Sequence, residues 1–352
     1  MTHRIGHLSR FAPYGEEAER VGFRELLLFT PHDIRNKHNC VYAHSYRNGR
    51  WQPKRARPLP DIAHDIGFYS KPSTICAVKR AKDRSGIPFL GYGLGNKWTI
   101  HQKLSDSPFL PFLPETVLYK DTSTVLAMVS RHSAVMIKPK NGKRGVGIVR
   151  VAQDPSNESL YDWKTGSQAS VRLNRRQLSA RLRNRFPKEA AVVQRWMDIR
   201  EPDARVFDLR ALMQKKSSDE WEMTALGVRR AAVGRIASNV FGGGEVADAA
   251  AFLTNLYGKT KAEELLAGCA NIANELPVFL EKSYGKPFIE LGIDLAVERG
   301  GLLQIIEVNI KPGKKIVRAL SGEKAYADAV TAPVRYAYAS LSGRRDCPSK
   351  DL

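Results

Sequence analysis

Lys138 closes the short apolar run Val135-Met-Ile-Lys138, and Gly142, Lys143, Arg144, Gly145 and Gly147 follow it. Glycines let backbone amides approach phosphate oxygens closely, and the cations offset the phosphate charge. The spacing is neither a Walker A loop nor a dinucleotide-binding fingerprint. A tight hairpin with solvated lysines would carry the same residues. A second group lies towards the C-terminus, in Glu290-Leu-Gly-Ile-Asp294 and Glu307-Val-Asn309. Glu307 and Asn309 are two apart and so share one face of a strand, where Asp294 on a neighbouring strand can meet them. Two carboxylates and an amide oxygen are hard donors suited to Mg²⁺ beside phosphates. Ile305, Ile306, Val308 and Ile310 surround these polar residues, so their face must be wet or liganded. A third group, Phe207-Asp-Leu-Arg210, places Asp208, Arg210 and Gln214 on one strand face, with Arg210 offering a planar fork to phosphate or carboxylate. Finally, Arg229-Arg230 leads through Arg235 and Ser238-Asn239 into Gly242-Gly-Gly244, a turn able to shape a loop over a reacting phosphoryl group.

The elements that must carry these groups can be read from apolar periodicity. Strands are expected at Arg24 to Phe29, Ile62 to Tyr69 and Ile87 to Gly91, with a helix over Ser73 to Ser85. That rhythm suggests a small parallel sheet. Further strands are expected at Ala134 to Lys138, Gly147 to Val151 and Ala191 to Arg195. Val206 to Lys215 with Glu222 to Val228, and Ile289 to Val297 with Leu302 to Val308, read as antiparallel pairs. Helices are expected over Asp121 to Ser130, Asn174 to Phe186, Thr260 to Ser283 and Glu323 to Leu341. Pro277 predicts a kink or break in the third of these, and Pro333 interrupts the last.

The chain has 352 residues, enough for two or three packed subdomains, and no apolar run long enough to span a bilayer. Its four cysteines form no C-x-x-C pair, so a reduced, cytoplasmic setting is expected, without zinc or disulfides. The net charge of +20 attracts polyanions, but no recognisable nucleic-acid module surrounds the basic residues. The arginines of Asn174 to Phe186 are read as that helix's wet face, and neither a nucleic-acid nor a membrane partner is expected. The charge hints at an acidic substrate.

In their order, these motifs resemble the ATP-grasp superfamily. Asn96-Lys-Trp-Thr-Ile-His-Gln-Lys-Leu104, Leu113-Pro-Glu-Thr116, Phe207-Asp-Leu-Arg210, Ser238-Asn239 and Glu307-Val-Asn-Ile-Lys-Pro312 look like its endospore-coat-associated, YheC/YheD-like group. Arg235 to Gly244 and the E-V-N motif also resemble the ribosomal-protein glutamate ligases. The resemblance implies an α/β and α+β protein with an ATP-grasp fold, in which two α+β lobes hold a nucleotide between them behind a small N-terminal α/β domain. The expected domains are 1–95 and 96–342, with a flap lobe at 123–197, a C-terminal lobe at 198–342 and a disordered tail at 343–352. Lys97 and Lys138 match lysines that hold ATP phosphates, and the loop Gly142 to Gly147 matches the flap over them. Gln194, Arg195, Trp196 and Met197 match the adenine hinge, although relatives commonly carry an acid where Arg195 stands. Arg210 and Arg230 match residues touching the γ-phosphate or an acyl phosphate, and Asn239 belongs to the loop beside them. Asp294, Glu307 and Asn309 match ligands of Mg²⁺, with Mn²⁺ as the alternative.

The implied reaction is ADP-forming ligation. A substrate carboxylate takes the γ-phosphoryl group, and an amine displaces phosphate to give an amide or peptide bond. Spore association is implied by the resemblance alone. Three other readings stay open: a structural or regulatory protein that keeps the fold without turnover, a basic nucleic-acid-binding protein, and a kinase-like enzyme that stops at phosphoryl transfer.

Overall fold

The computed structural model describes residues 1–69, 71–142, 145–166, 168–216, 220–236 and 244–345. In the N-terminal part, α1 (Ala12–Val21) precedes a five-stranded antiparallel sheet. Its strands are β1 (Leu26–Leu28), β2 (Ile34–Arg35), β3 (Cys40–Arg47), β4 (Arg50–Trp51) and β5 (Arg55–Pro58), and β3 pairs with all the others. Only β6 (Ala63–His64) and β7 (Phe89–Leu90), joined through α2 (Pro72–Arg84), are parallel. The expected parallel sheet is therefore limited to this pair. The segment at Arg24 to Phe29 instead joins β3, a strand that its sequence conceals because its inward positions are the modest Val41, Ala43 and Ser45.

Next comes α3 (Lys97–Ser105), started by the Asn96 side chain, which accepts from the amides of Trp98 and Thr99 at 3.0 and 3.1 Å. A six-stranded antiparallel sheet follows. It comprises β8 (Thr116–Leu118), β9 (Ala134–Pro139), β10 (Val149–Asp154), β11 (Asn157–Thr165), β12 (Val171–Asn174) and β13 (Ala191–Arg195), in the order β12-β11-β10-β9-β13-β8. The sheet begins at Thr116, before the expected lobe boundary at 123. α4 (Thr122–His132) and α5 (Arg175–Arg185) cover one face, packing Val125, Val129, Leu178 and Leu182 on Val135, Ile137, Val151 and Val193. By strand alternation, Lys138 and Gln194 project from the opposite face.

The third sheet is antiparallel and runs β16-β15-β14-β17-β18. Its strands are β14 (Phe207–Lys215), β15 (Trp221–Arg230), β16 (Glu245–Asp248), β17 (Glu290–Val297) and β18 (Leu303–Asn309). α6 (Ala249–Tyr257) and α7 (Lys259–Tyr284) cover one face with Leu265, Cys269, Ile272 and Leu276. α8 (Lys315–Arg345) covers the other through Ile316, Val317 and Ala329. Every residue of β14 and β17 is consequently buried, including Asp208, Arg210, Gln214, Glu290 and Asp294.

Neither proline breaks its helix. α7 runs through Pro277, where the buried side chains of Leu276 and Leu280 hold both sides of the lost hydrogen bond against the sheet. α8 is two helices meeting at a kink at Gly322, at φ 81° and ψ −177°, and the second runs through Pro333. α8 also extends to Arg345, so 343–345 are helical where a tail was expected. Beyond Gly322, α8 packs on α1, with Arg335 donating to Glu17 at 2.7 Å and the Phe23 and Tyr338 rings 5.2 Å apart. The N-terminal part is also held by Asp65, a buried carboxylate paired with Lys82 at 2.8 Å and with Lys311 at 3.2 Å.

Gly227 of β15 lies under the first turns of α8, where an added Cβ would stand 2.7 Å from Leu320 Cδ1 and 3.0 Å from Ile316 Cδ1. Gly227→Val is expected to destabilise the protein by about 1–3 kcal/mol through overpacking. A urea unfolding midpoint equal to that of the wild type would show that α8 does not depend on this close approach.

Candidate functional site

Strand register decides which charged groups of the third sheet meet. Arg210 on β14 lies opposite Asp294 on β17, and Asp294 lies opposite Glu307 on β18. Asp208 lies opposite Arg229 on β15. Directly opposed residues share a sheet face, so all five belong to one face. Arg210 grips Asp294 with two nitrogens, Nε on Oδ1 and Nη2 on Oδ2, the latter at 2.8 Å. Arg229 donates to both oxygens of Asp208 at 2.6 Å and approaches Asp294 Oδ2 at 3.1 Å. Asn309 Nδ2 lies 3.4 Å from the same Asp294 oxygen, which leaves the Asn309 carbonyl oxygen for another partner.

Two arginines thus interleave with two aspartates. Burial alone would raise the Asp294 carboxyl, but Arg210 and Arg229 hold it below the ordinary carboxylate range. Burial likewise opposes the charge on Arg229, and Asp208 with Asp294 more than restores it. Gly292 makes room for the arrangement: a Cβ there would lie 3.2 Å from Arg210 Nη1 and 2.8 Å from Pro312 Cβ. Register slips between Asp294 and Leu295, whose partners are Glu307 and Ile305, so Ile306 is an extra residue in β18. Such a bulge re-aims the residues beside it, here Glu307.

Lys97, at the start of α3, reaches Glu307 Oε1 at 2.7 Å and the Gly142 carbonyl at 2.9 Å. Lys138 donates to Gln194 Oε1 at 2.5 Å, and Gln194 Nε2 donates to Thr116 Oγ1 at 2.9 Å. Burial pulls the Lys138 ammonium down to about 8, with Glu307 resisting and Lys97 assisting. These groups line a pocket between the two larger sheets, together with Ile100, His101, Leu104, Val192 and Ile306. The pocket is therefore apolar along its walls and cationic at one end, with Glu307 among the cations.

The sequence-predicted residues divide into those this site gathers and those it does not. Lys97, Lys138, Gln194 and Glu307 line the pocket, and Asp294, Asn309 and Arg210 adjoin it through Glu307. Gly142, Gly145 and Gly147 follow β9, the last two at φ 70° and 79°. Lys143, Arg144 and Asn239 lie outside the described residues. The Arg195 side chain makes a two-nitrogen ion pair with Glu298, at 2.6 and 2.9 Å. The Trp196 amide donates to the Ala134 carbonyl, its ring lies 4.9 Å from the Arg150 guanidinium, and Met197 is buried in a small apolar cluster.

Arg230 faces away from Asp294. It grips Glu201 with two hydrogen bonds at 2.8 Å and stands over the Phe252 ring on the α6 side of the sheet. Arg229 is the one that turns to the Asp294 face, because adjacent strand residues point to opposite faces. Sequence reading could have found Arg229 only from the pairing of β15 with Asp208. Thr116 and His101 were also missed. Arg229→Met is expected to cost about 3–5 kcal/mol, since it removes a two-nitrogen ion pair from buried Asp208 and one of the two guanidinium groups beside Asp294. Denaturant unfolding checks this, and an unchanged midpoint would mean that the two aspartates do not depend on Arg229.

Residues 86–339 match the family model described as YheC/D like ATP-grasp. The chain is 26% identical over 321 residues to the endospore coat-associated protein YheC of Bacillus subtilis (strain 168), covering 89% of this chain and 87% of that protein. It is 24% identical over 298 residues to the endospore coat-associated protein YheD of the same organism, covering 82% of this chain and 64% of that protein. It thus spans less than two thirds of the length of YheD. Among solved structures, D-alanyl-alanine synthetase A from Vibrio cholerae superposes with a TM-score of 0.54 at 14% identity, covering 90% of this chain and 83% of the other. The likeness to that structure is one of fold.

Proposed function

The chain belongs to the YheC/D-like ATP-grasp family, and from that premise we propose that it is an ATP-dependent, ADP-forming carboxylate–amine ligase. The observation that carries this reading is the meeting of Lys97, Lys138 and Glu307 at one end of an otherwise apolar pocket. An adenine ring fits apolar walls, and triphosphate oxygens fit the two ammonium groups. In this reading Lys97 leaves Glu307 for the phosphates when nucleotide enters. Arg210, held by Asp294, stabilises charge that spreads over the transferring phosphoryl group. The substrate carboxylate, from an amino acid or peptide, becomes an acyl phosphate, and an amine then displaces phosphate. The flap after β9 would exclude water from that intermediate.

Glu307 and the Asn309 carbonyl oxygen are hard donors, and Asp294 Oδ1 accepts only from Arg210 among the described residues. This donor set fits Mg²⁺, or Mn²⁺ in its place, which would neutralise phosphate charge when bound. In this reading the protein acts in the cytoplasm, and the names of its two curated relatives favour association with a spore. A second reading, a family member that binds nucleotide without turnover, is favoured by one observation: Glu307 and Asp294 are already neutralised by Lys97, Arg210 and Arg229.

Calorimetry separates these readings from no nucleotide function at all. Wild type is expected to bind Mg-ATP, and Lys138→Ala to lose that binding. A folded wild type that ignores millimolar nucleotide would sink the proposal. With a competent acceptor, Glu307→Gln should slow ADP release about a hundredfold, and an unchanged rate would remove Glu307 from the reaction.

The pH dependence follows from Lys138. Its ammonium is lowered from 10.5 to about 8 by burial, so the group loses its charge as pH rises through that value. Nucleotide affinity should therefore fall between pH 7 and pH 9, with proton uptake on binding near pH 8. Affinity that does not change over this range, measured in buffers of different ionisation enthalpy, would show that Lys138 does not meet the phosphates.

A further inference from the structure

α5 carries a charge pattern that neither its own stability nor the nucleotide site requires. From 172 to 188 the chain holds six arginines and a lysine and no carboxylate. Arg175, Arg176, Arg181, Arg183 and Arg185 are all on the helix and all exposed. Arg172, just before it, pairs with Asp154 at 2.8 Å, but none of the five helix arginines has an ion pair among the described residues. Arg175 and Arg176 occupy the first turn, where no acid is present and where the helix dipole disfavours positive charge. Arg181 and Arg185 are like charges one turn apart, which also weakens a helix.

The backbone of α5 is nevertheless firmly set. Asn174 and Gln177 form a reciprocal capping box at 2.9 and 3.0 Å, and Leu178 and Leu182 are fully buried against the six-stranded sheet. Ser179 is joined to Thr122 of α4 at 3.0 Å. On a helix anchored in this way, Arg176 and Arg183 fall on one flank, seven residues apart, and Arg181 and Arg185 on the other. The ridge between them, opposite the leucines, holds Ala180 and Asn184, short, uncharged and exposed, and Gln177, whose side chain turns back to accept from the Asn174 amide at 3.0 Å.

The geometry points to α5 as a surface that docks in the major groove of duplex DNA. An α-helix with its side chains is about 10–12 Å across, and the B-form major groove is about 12 Å wide. A helix lying there turns each flank towards one phosphate backbone, and a low uncharged ridge towards the base edges. Arginine suits phosphate because its fork donates two hydrogen bonds at once. The fit is to the B-form, since the major groove of duplex RNA is too deep and narrow for side chains to enter. An acidic polypeptide offers charge but no pair of anionic walls spaced to meet both flanks. This surface does not rest on the ligase reading, because it lies across the sheet from Lys138 and is assayed without ATP.

Fluorescence anisotropy with a labelled 20-base-pair DNA duplex, read across a salt series without nucleotide, tests the assignment. Wild type is expected to bind with an affinity that falls steeply with salt. Arg176→Gln/Arg183→Gln and Arg181→Gln/Arg185→Gln should each weaken binding about tenfold at low salt. Each should also flatten the log–log salt slope by about 1.8, because two fewer phosphates are neutralised. Circular dichroism controls for folding, and all four positions are exposed. Duplex RNA and polyglutamate of equal charge should compete at least about tenfold more weakly than DNA. Polyglutamate binding as tightly as DNA, equal binding of duplex RNA, or a weakening when one flank is removed but not the other would overturn the proposal.

Discussion

The paired Arg210 and Asp294 on the two central strands of the third sheet constrain everything around them. Helices cover both faces of that sheet, so each ion is withdrawn from water and is tolerable only with its partner in place. The two-nitrogen geometry fixes the register of β14 against β17, because a slip of one residue would bury one charge without the other. Asp208 and Arg229 extend the same logic to β15. The absence of a side chain at Gly292 belongs to the same arrangement, since the guanidinium lies over that backbone. A charged layer is thus built into the sheet, beside a second buried polar pair, Gln214 and Glu290, further along the same strands.

Against this rigid layer, the opposite wall of the pocket is made by a different sheet. Lys138 and Gln194 come from strands whose other face is packed by α4 and α5, and Lys97 from α3, whose Leu104 is buried in the core of the third sheet. Lys97 and Glu307 lie 210 residues apart in sequence and meet at 2.7 Å. The pocket is accordingly a junction of two separately stabilised cores. Its polar groups are partnered across the junction, while its apolar walls belong to the cores behind them.

Much of this was legible in the chain. The two-residue spacing of Glu307 and Asn309 gave their shared face, and Asp208-Leu-Arg210 did the same on β14. The strand pairs around these motifs came from local periodicity, which suffices when neighbours in sequence are neighbours in space. What escaped was set by register and by distant partners. Nothing local distinguishes Arg229 from Arg230; only the pairing of β15 with β14 turns the first towards Asp294 and the second towards Glu201. The bulge at Ile306 and the pairing of Arg195 with Glu298 are likewise tertiary facts. Pro277 misled for the complementary reason, since a local cost was outweighed by the packing of a long helix.

The packing of α1 on the far end of α8 has a consequence for how the molecule is made. Glu17 and Arg335 are separated by 318 residues, yet they close one ion pair, and Phe23 rests on Tyr338 beside it. During vectorial synthesis the first helix emerges long before its partner and waits with its apolar side uncovered. The six-stranded sheet can assemble in that interval from segments close in sequence. The N-terminal segment cannot reach its final packing until α8 has left the ribosome, so its maturation waits on a partner 318 residues downstream.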